Sequence, residues 1–186
     1  MEYLEIKKTA LLGFSLGGMI VRKFAIDHEE RLWALGILNS AHKRSLEAKH
    51  AVQKRVEQVK KFGPSSTVED ALERWFTEEF RSQNYKIMNL IREWVLANNK
   101  DVYPKIYQLL VEGVDEIVEK KLSINCPTLV LTGDEDYGNS PEMSKEISKQ
   151  IDHSQTMILK GLRHMALVEA PEILNKILIE FLNESL

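Results

Sequence analysis

The sequence has one cysteine, no long apolar run and no block of one charge, and each absence narrows the class of protein. Cys126 is the single cysteine among 186 residues, so no internal disulfide framework can form. No apolar stretch approaches the roughly 20 residues that cross a bilayer, and residues 1–5 have neither the basic nor the apolar part of a signal peptide. The formal net charge is −3, with lysines interspersed among Val and Glu. We therefore expect a cytoplasmic protein that binds neither membranes nor nucleic acid, with Cys126 as a structural thiol.

The sequence alternates short apolar runs with amphipathic segments. Four runs have the length and composition of buried strands: residues 9–14, 32–38, 127–132 and 155–159. Apolar residues recur at helical spacing in three other segments, at residues 16–25, 143–151 and 171–182. Strands that alternate with helices predict an α/β fold with a doubly wound parallel sheet of about four strands.

Residues 41–121 show no strand pattern. Charged amphipathic segments in this range are broken near residues 62–66 and 97–100, where Gly, Pro, Ser and Asn occur. We predict that the range is a helical insert, called the insert below. It divides the chain into a first core part at residues 1–40, the insert at 41–121 and a second core part at 122–186.

Residues 13–18, Gly-Phe-Ser-Leu-Gly-Gly, fit the G-x-S-x-G pattern at the junction of a predicted strand and a predicted helix. A chain that reverses within one or two residues forces Ser15 into strained dihedral angles, and side chains at Gly13 and Gly17 would collide across the turn. The Ser15 hydroxyl would then stand at the carboxyl end of the sheet, and the amide of Leu16 could face a developing oxyanion. The alternative is a glycine turn that serves packing alone, because the pattern by itself is weak.

A serine hydroxyl is a poor nucleophile at neutral pH and needs a histidine base with an orienting carboxylate. Among the five histidines, His164 is the candidate base because it follows the fourth predicted strand and precedes the last helix. A loop histidine in that position can reach Ser15. The other four lie in strongly polar sequence and are expected at the surface: His28, His42, His50 and His153.

The orienting acid is expected after the third predicted strand, where residues 134–136 are all acidic. Asp136 is the predicted acid because it is the third residue after the glycine that ends the strand, and Asp134 is the alternative. A calcium loop is disfavoured, because no glycine and terminal glutamate follow at the required spacing. A phosphate loop is disfavoured as well, because the serine turn lacks a Lys-Ser or Lys-Thr pair.

The order Ser15, Asp136, His164 is the chain order of the α/β-hydrolase fold. The sequence resembles the α/β hydrolases, and among them the esterases and 3-oxoadipate enol-lactonases, over essentially its whole length. The segments that carry the resemblance are 13–20 (GFSLGGMI), 74–77 (RWFT), 132–136 (TGDED), 161–166 (GLRHMA) and 169–172 (EAPE). The resemblance implies a serine hydrolase that cleaves an ester or lactone bond of a small molecule through an acyl-enzyme, without a cofactor or metal ion.

The resemblance also implies that the insert is a lid over the substrate pocket. Trp75, Phe76 and Phe80 are the candidates to line that pocket. The same aromatic residues could instead serve to pack an amphipathic helix, and the sequence leaves both interpretations open.

The sequence departs from this group in one respect. Its relatives have four strands and two helices before the strand that ends at the serine, together with a loop that supplies a second oxyanion amide. Without these, residues 9–14 should form an apolar sheet edge that pairs with a missing N-terminal half or with a second copy of the chain. We expect the activity of the chain alone to be impaired. The alternative hypotheses are a non-catalytic fragment or interaction module, and one half of a split enzyme that needs a partner chain.

Overall fold

The computed structural model describes residues 1–118 and 124–186. Its four strands form one parallel sheet in the order β1-β2-β3-β4. The strands are β1 (Thr9–Phe14), β2 (Leu32–Leu38), β3 (Thr128–Gly133) and β4 (Ser154–Leu159). The predicted parallel α/β sheet is confirmed, and each predicted strand agrees with the observed bounds to within one residue.

The helices include all those predicted from apolar periodicity. They are α1 (Leu16–Asp27), α2 (Leu46–Phe62), α3 (Val68–Trp75), α4 (Glu78–Gln83), α5 (Tyr85–Leu96), α6 (Tyr103–Val118), α7 (Pro141–Lys149), α8 (Ala166–Glu169) and α9 (Pro171–Glu184). Side-chain caps explain where several begin, because the oxygens of Ser45, Thr77 and Ser140 accept hydrogen bonds from first-turn amides. Helix α2 ends at Gly63, whose φ of 79° suits glycine.

The sheet is packed on both faces, as a doubly wound fold requires. Alternate residues of β2 point to opposite faces. Leu35 and Ile37 belong to a core with side chains of α1 and α7. Ala34 and Leu38 belong to a second core with side chains of α9. Burial on both faces explains why β2 is apolar along its whole length.

Strands β1 and β4 are the two edges of this sheet. Strand β1 pairs with β2 alone in the described part of the chain. Of its six residues only Gly13 is buried, and the others are half-buried. Strand β1 thus has the edge position and partial exposure that the sequence predicts.

Helices α2 to α6 lie in the range predicted as the insert, and no strand occurs between residues 41 and 118. These helices have an apolar core of their own, which includes Val56, Leu72, Phe76 and Ile91. The predicted end of the insert at residue 121 lies outside the described residues. The division of the chain into three parts stays a prediction.

No helix in the ranges 1–118 and 124–186 combines the length and apolar character that a membrane span needs.

The glycines around the serine turn differ in how closely the chain approaches them. A Cβ on Gly13 would lie 2.1 Å from the carbonyl oxygen of Gly17, and a Cβ on Gly18 would lie 2.4 Å from the Cβ of Ser40. A Cβ on Gly17 would meet no described atom within 4 Å. The predicted collision is therefore present at Gly13, which lies against the backbone of Gly17. The expectation for a side chain at Gly17 is wrong, because its Cβ would point away from the turn into open space.

His42 is buried, so the expectation that it lies at the surface is wrong. Only 7% of the residue is exposed. Its Nδ1 lies 3.4 Å from Nη2 of Arg22, a fully buried side chain of α1 whose Nη1 donates to the carbonyl oxygen of Ala41 at 2.9 Å. Burial, and secondarily the charge of Arg22, lower the pKa of His42 to about 4.

We predict that Gly13→Ala destabilises the protein by at least about 2 kcal/mol, because a Cβ there overlaps the backbone of Gly17. Gly17→Ala is the matched control, since its methyl group enters open space at the start of a helix. It should leave the free energy of unfolding unchanged or raise it by up to about 1 kcal/mol. Urea unfolding of the two variants measures the difference, and equal stabilities would contradict the steric argument.

The buried His42 predicts a loss of stability in mild acid. Between about pH 6.5 and pH 4 the unfolded chain protonates His42 while the folded chain holds it neutral, so stability falls as the pH falls through this window. The contribution from about pH 7 to pH 5 is on the order of 2 kcal/mol. His42→Gln should reduce this loss by a similar amount in urea unfolding experiments. The exposed His153 provides the control, and a His153→Gln variant should retain the pH dependence of the unchanged protein.

Candidate active site

Ser15 joins β1 to α1 in a backbone conformation that L-residues rarely adopt. Its φ is 54° and its ψ is −115°. Hydrogen bonds hold it on both sides: the Ser15 amide donates to the carbonyl oxygen of Leu38 at 2.8 Å, and the Gly18 amide donates to the carbonyl oxygen of Ser15 at 3.0 Å. This sharp strand-to-helix turn is the structural context that the G-x-S-x-G pattern requires.

The Ser15 hydroxyl is within hydrogen-bonding distance of His164, which lies between β4 and α8. The distance from Ser15 Oγ to His164 Nε2 is 3.0 Å. The ring of Phe14 lies 5.0 Å from the His164 ring, measured between centroids, and contributes an apolar wall beside it. The structure thus brings together two residues that are 149 positions apart in the sequence.

His164 is hydrogen-bonded in turn to Asp136. The distance from His164 Nδ1 to Asp136 Oδ2 is 2.8 Å. The other carboxylate oxygen, Oδ1, accepts hydrogen bonds from the amides of Gly138 at 3.2 Å and Asn139 at 3.0 Å. An ionised carboxylate can only accept, so Nδ1 must carry the hydrogen and Nε2 is left to accept one from Ser15.

The acidic neighbours of Asp136 point elsewhere. Oδ1 of Asp134, the alternative acid, accepts from the amide of Gly161 at 2.7 Å, and its Oδ2 lies 3.3 Å from Nζ of Lys160. Glu135 forms an ion pair with Arg163 at 3.4 Å. Within the acidic segment, Asp136 is therefore the residue whose carboxylate contacts His164.

Two asparagines complete the surroundings of Asp136, and neither is predicted from the sequence. Nδ2 of Asn39 donates to Asp136 Oδ2 at 3.1 Å, and Nδ2 of Asn139 donates to the carbonyl oxygen of Asn39 at 2.8 Å. Asn39 has a φ of 47°, a conformation that asparagine tolerates better than most residues. The signal for Asn39 is its position: it directly follows β2 and therefore lies at the same end of the sheet as Ser15.

Leu16 is the first residue of α1. Its amide is one of the first-turn N–H groups that an α-helix leaves without an intrahelical acceptor, and the helix dipole adds partial positive charge there. This position has the donor character that an oxyanion needs. The predicted role of Leu16 stays a prediction.

The three aromatic residues predicted to line the pocket occupy different positions. The ring of Trp75 lies 6.4 Å from the ring of His164. Phe76 is completely buried in the core of the insert and stacks on Phe80 with centroids 5.4 Å apart. Trp75 thus lies beside the candidate site, whereas Phe76 and Phe80 pack within the insert. A pocket role for any of them stays a prediction.

The single cysteine and the possible metal ligands are alternative reactive groups within residues 1–118 and 124–186. Cys126 is buried near the start of β3, and burial raises the pKa of its thiol. Among the residues that the structure describes, no three His, Cys, Asp or Glu side chains are grouped to hold a metal ion.

The chain is similar to curated hydrolases of Acinetobacter baylyi. It is 28% identical over 177 residues to (E)-2-((N-methylformamido)methylene)succinate hydrolase, covering 93% of this chain and 64% of that protein. It is 25% identical over 175 residues to 3-oxoadipate enol-lactonase 2, covering 94% of this chain and 64% of that protein. The chain therefore spans slightly less than two thirds of the length of these relatives.

Solved structures share the fold. An esterase from Thermogutta terrifontis matches with a TM-score of 0.84 at 25% identity, covering 99% of this chain and 68% of that one. The enol-lactonase from Burkholderia xenovorans LB400 matches with a TM-score of 0.88 at 22% identity, covering 98% of this chain and 68% of that one.

A family model described as serine aminopeptidase S33 matches residues 2–171. Because that match extends over most of the sequence, the chain belongs to the Hydrolase_4 family of α/β hydrolases.

Proposed function

We propose that this chain acts as a serine hydrolase on an ester or lactone bond of a small molecule, through an acyl-enzyme. The observation that carries the proposal is the continuous hydrogen-bond chain from Ser15 Oγ through His164 to Asp136, with distances of 3.0 Å and 2.8 Å. Membership of a hydrolase family supports hydrolysis as the reaction class. The lactonases and the esterase among the similar proteins support an ester or lactone as the bond that is cleaved.

In the first half of the proposed reaction, Ser15 Oγ attacks the substrate carbonyl carbon and its proton passes to His164 Nε2. Asp136 stabilises the imidazolium that forms and keeps the ring oriented. The tetrahedral intermediate carries an oxyanion, toward which the Leu16 amide donates. When the intermediate collapses, the carbon–oxygen bond to the leaving alcohol breaks and His164 returns its proton to that oxygen. In a lactone the released hydroxyl remains part of the acyl chain.

In the second half, water replaces the alcohol. His164 Nε2 takes a proton from the water as the water oxygen attacks the ester carbonyl of Ser15. Collapse of the second intermediate returns the proton to Ser15 Oγ and releases the acid. Every proton moves through His164, so no cofactor is needed for the cycle.

The strained backbone of Ser15 supports a catalytic role, because conformations of this kind cost about 1–3 kcal/mol and persist where the surrounding structure enforces them. The hydrogen bonds to Leu38 and Gly18 supply that enforcement. A glycine turn for packing alone would not require a serine at the position with φ of 54°.

Strand β1 favours a second candidate, in which activity requires a partner. Its edge is unpaired in the described part of the chain and most of its side chains are half-buried. A further strand, from a second copy or from another polypeptide, would satisfy the free backbone groups of that edge. In that case the hydrogen-bond chain of Ser15 is functional only in the complex.

We predict that a fluorophosphonate probe labels the folded chain at Ser15, because the probe requires an activated serine and no knowledge of the substrate. Ser15→Ala should abolish the labelling. Ser82→Ala, which changes an exposed serine of α4, is the control. It should be labelled to the same extent as the protein without substitutions. Intact-mass spectrometry measures the adduct. A folded but unlabelled chain would reject independent activity and favour the partner-dependent candidate.

The two aspartates of the acid loop offer a matched test of the orienting acid. Asp136→Asn should lower the rate constant of labelling or ester hydrolysis by on the order of 10³–10⁴, because an amide no longer enforces the hydrogen on Nδ1 of His164. Asp134→Asn should change the rate by less than about threefold, since that carboxylate contacts Gly161 and Lys160 instead. Stopped-flow hydrolysis of a short-chain nitrophenyl ester provides the rates. Equal effects at the two positions would contradict the assignment.

A further inference from the structure

The residues around His164 make several polar contacts with the insert that the chemistry above does not use. They converge on residues 73–77, a segment that includes the end of α3 and the turn into α4. Arg163 and Met165 flank His164 directly, and Glu169 ends α8. Any shift of these contacts therefore acts on the loop that carries the proposed base.

Glu169 bridges the two segments with both carboxylate oxygens. Its Oε1 accepts from the amide and the hydroxyl of Thr77, each at 2.7 Å. Its Oε2 accepts from the amide of Arg163 at 3.0 Å. Each oxygen faces a donor, so a glutamine at this position could satisfy only one side, because its NH₂ group would face an N–H or O–H on the other.

The Arg163 side chain joins three parts of the site. Its Nη1 donates to the carbonyl oxygens of Glu73 at 2.8 Å and Phe76 at 3.1 Å, both in the insert. Its Nε lies 3.4 Å from Oε2 of Glu135, and its guanidinium lies 5.5 Å from the centroid of the Tyr137 ring. Glu135 and Tyr137 are the two neighbours of Asp136, so one side chain links the insert with the segments that carry the acid and the histidine.

Backbone and apolar contacts reinforce the junction. The amide of Met165 donates to the carbonyl oxygen of Trp75 at 2.9 Å. The side chains of Met165 and Val168 pack against the core of the insert. The residues on both sides of His164 are thus fixed to the insert, and Trp75 is fixed beside the His164 ring.

We propose that Arg163 and Glu169 are positioning residues that hold His164 in line with Ser15 and Asp136 by docking residues 73–77 of the insert onto the histidine loop. The consequence for catalysis rests on the function proposed above. When the insert is docked, Trp75 and the histidine occupy fixed relative positions, so a substrate that contacts Trp75 meets an aligned base. When the contacts are lost, the loop can shift, and a displacement of about 1 Å lowers a rate by on the order of 10²-fold.

The test uses two variants and two matched controls in the full chain. Arg163→Met removes the guanidinium contacts, and Glu169→Gln leaves one side of the bridge with a donor facing a donor. Both substitutions change the side-chain size little. Arg92→Met and Glu69→Gln make the same substitutions in an ion pair of the insert, where Arg92 Nε lies 2.6 Å from Glu69 Oε1. The controls report the effect of losing an arginine or glutamate contact in the insert away from His164.

Two readouts separate positioning from general destabilisation. The first is the rate constant for fluorophosphonate labelling of Ser15, measured well below the melting temperature and apart from the fraction of chain that reacts. A loss of folded protein lowers that fraction, whereas misalignment of His164 lowers the rate constant. The second is the NMR resonance of the His164 Nδ1–H, which requires no activity and reports whether the hydrogen bond to Asp136 protects the proton from solvent exchange.

We expect Arg163→Met and Glu169→Gln to lower the labelling rate constant by about 10- to 100-fold and to accelerate solvent exchange of the His164 Nδ1–H. The rate constants of Arg92→Met and Glu69→Gln should stay within about twofold of the value for the protein without substitutions. An unchanged rate constant and an unchanged resonance in the docking variants would overturn the proposal. If the unchanged chain is not labelled, the proposed function fails while the resonance still decides the docking. Loss of the Nδ1–H resonance in Arg163→Met and Glu169→Gln, but not in the two control variants, supports the positioning role. Retention of the resonance in Arg163→Met and Glu169→Gln rejects that role.

Discussion

The parallel pairing of the four strands is the constraint on which the rest of the structure depends. Phe14 of β1 is in register with Leu38 of β2, Leu38 with Leu131 of β3, and Gly133 with Leu159 of β4. Parallel strands in register end at one edge of the sheet, so the loops that follow them converge there. The hydrogen bonds among Ser15, Asn39, Asp136 and His164 all join residues that follow the carboxyl ends of different strands. A slip of one strand by a single residue would break them and would turn its core side chains to the opposite face.

The fold was largely predictable because its signals are local. Burial on both faces makes β2 apolar throughout, and the period of apolar residues identifies helices such as α9 without reference to the rest of the chain. Ser15 was predictable as a candidate because the sharp turn before α1 requires a small residue at position 13, and the resulting G-x-S-x-G pattern is visible in the sequence. The candidates His164 and Asp136 followed from where they stand relative to predicted strands, and the structure brings both into one hydrogen-bond chain with Ser15.

The rest depends on contacts between distant segments. His42 lies in a largely polar stretch of sequence, yet the chain turns it against the buried Arg22 of α1, a contact that the sequence does not reveal. The close approach of Gly18 in α1 to Ser40, which follows β2, joins two segments that are distant in the sequence. The roles of Asn39 and Asn139 depend equally on tertiary geometry, because their partners lie about a hundred residues away in the sequence. Phe76 shows the limit of helical periodicity, since an apolar residue that lines a pocket and one that fills a core produce the same pattern.

The insert has a core whose buried members all lie between Val56 and Tyr107, and none of them belongs to the two cores of the sheet. A substitution at Val56 or Ile91 repacks the insert without displacing a side chain between the sheet and its helices. The insert also packs on α1 through a buried apolar cluster that includes Met19, Val114 and Ile117. Mutations in the two parts are therefore constrained together at this cluster and at the polar junction of Arg163 and Glu169. For protein engineering, a graft of the insert has to retain both junctions if it is to redesign the surroundings of Trp75 without unsettling the sheet.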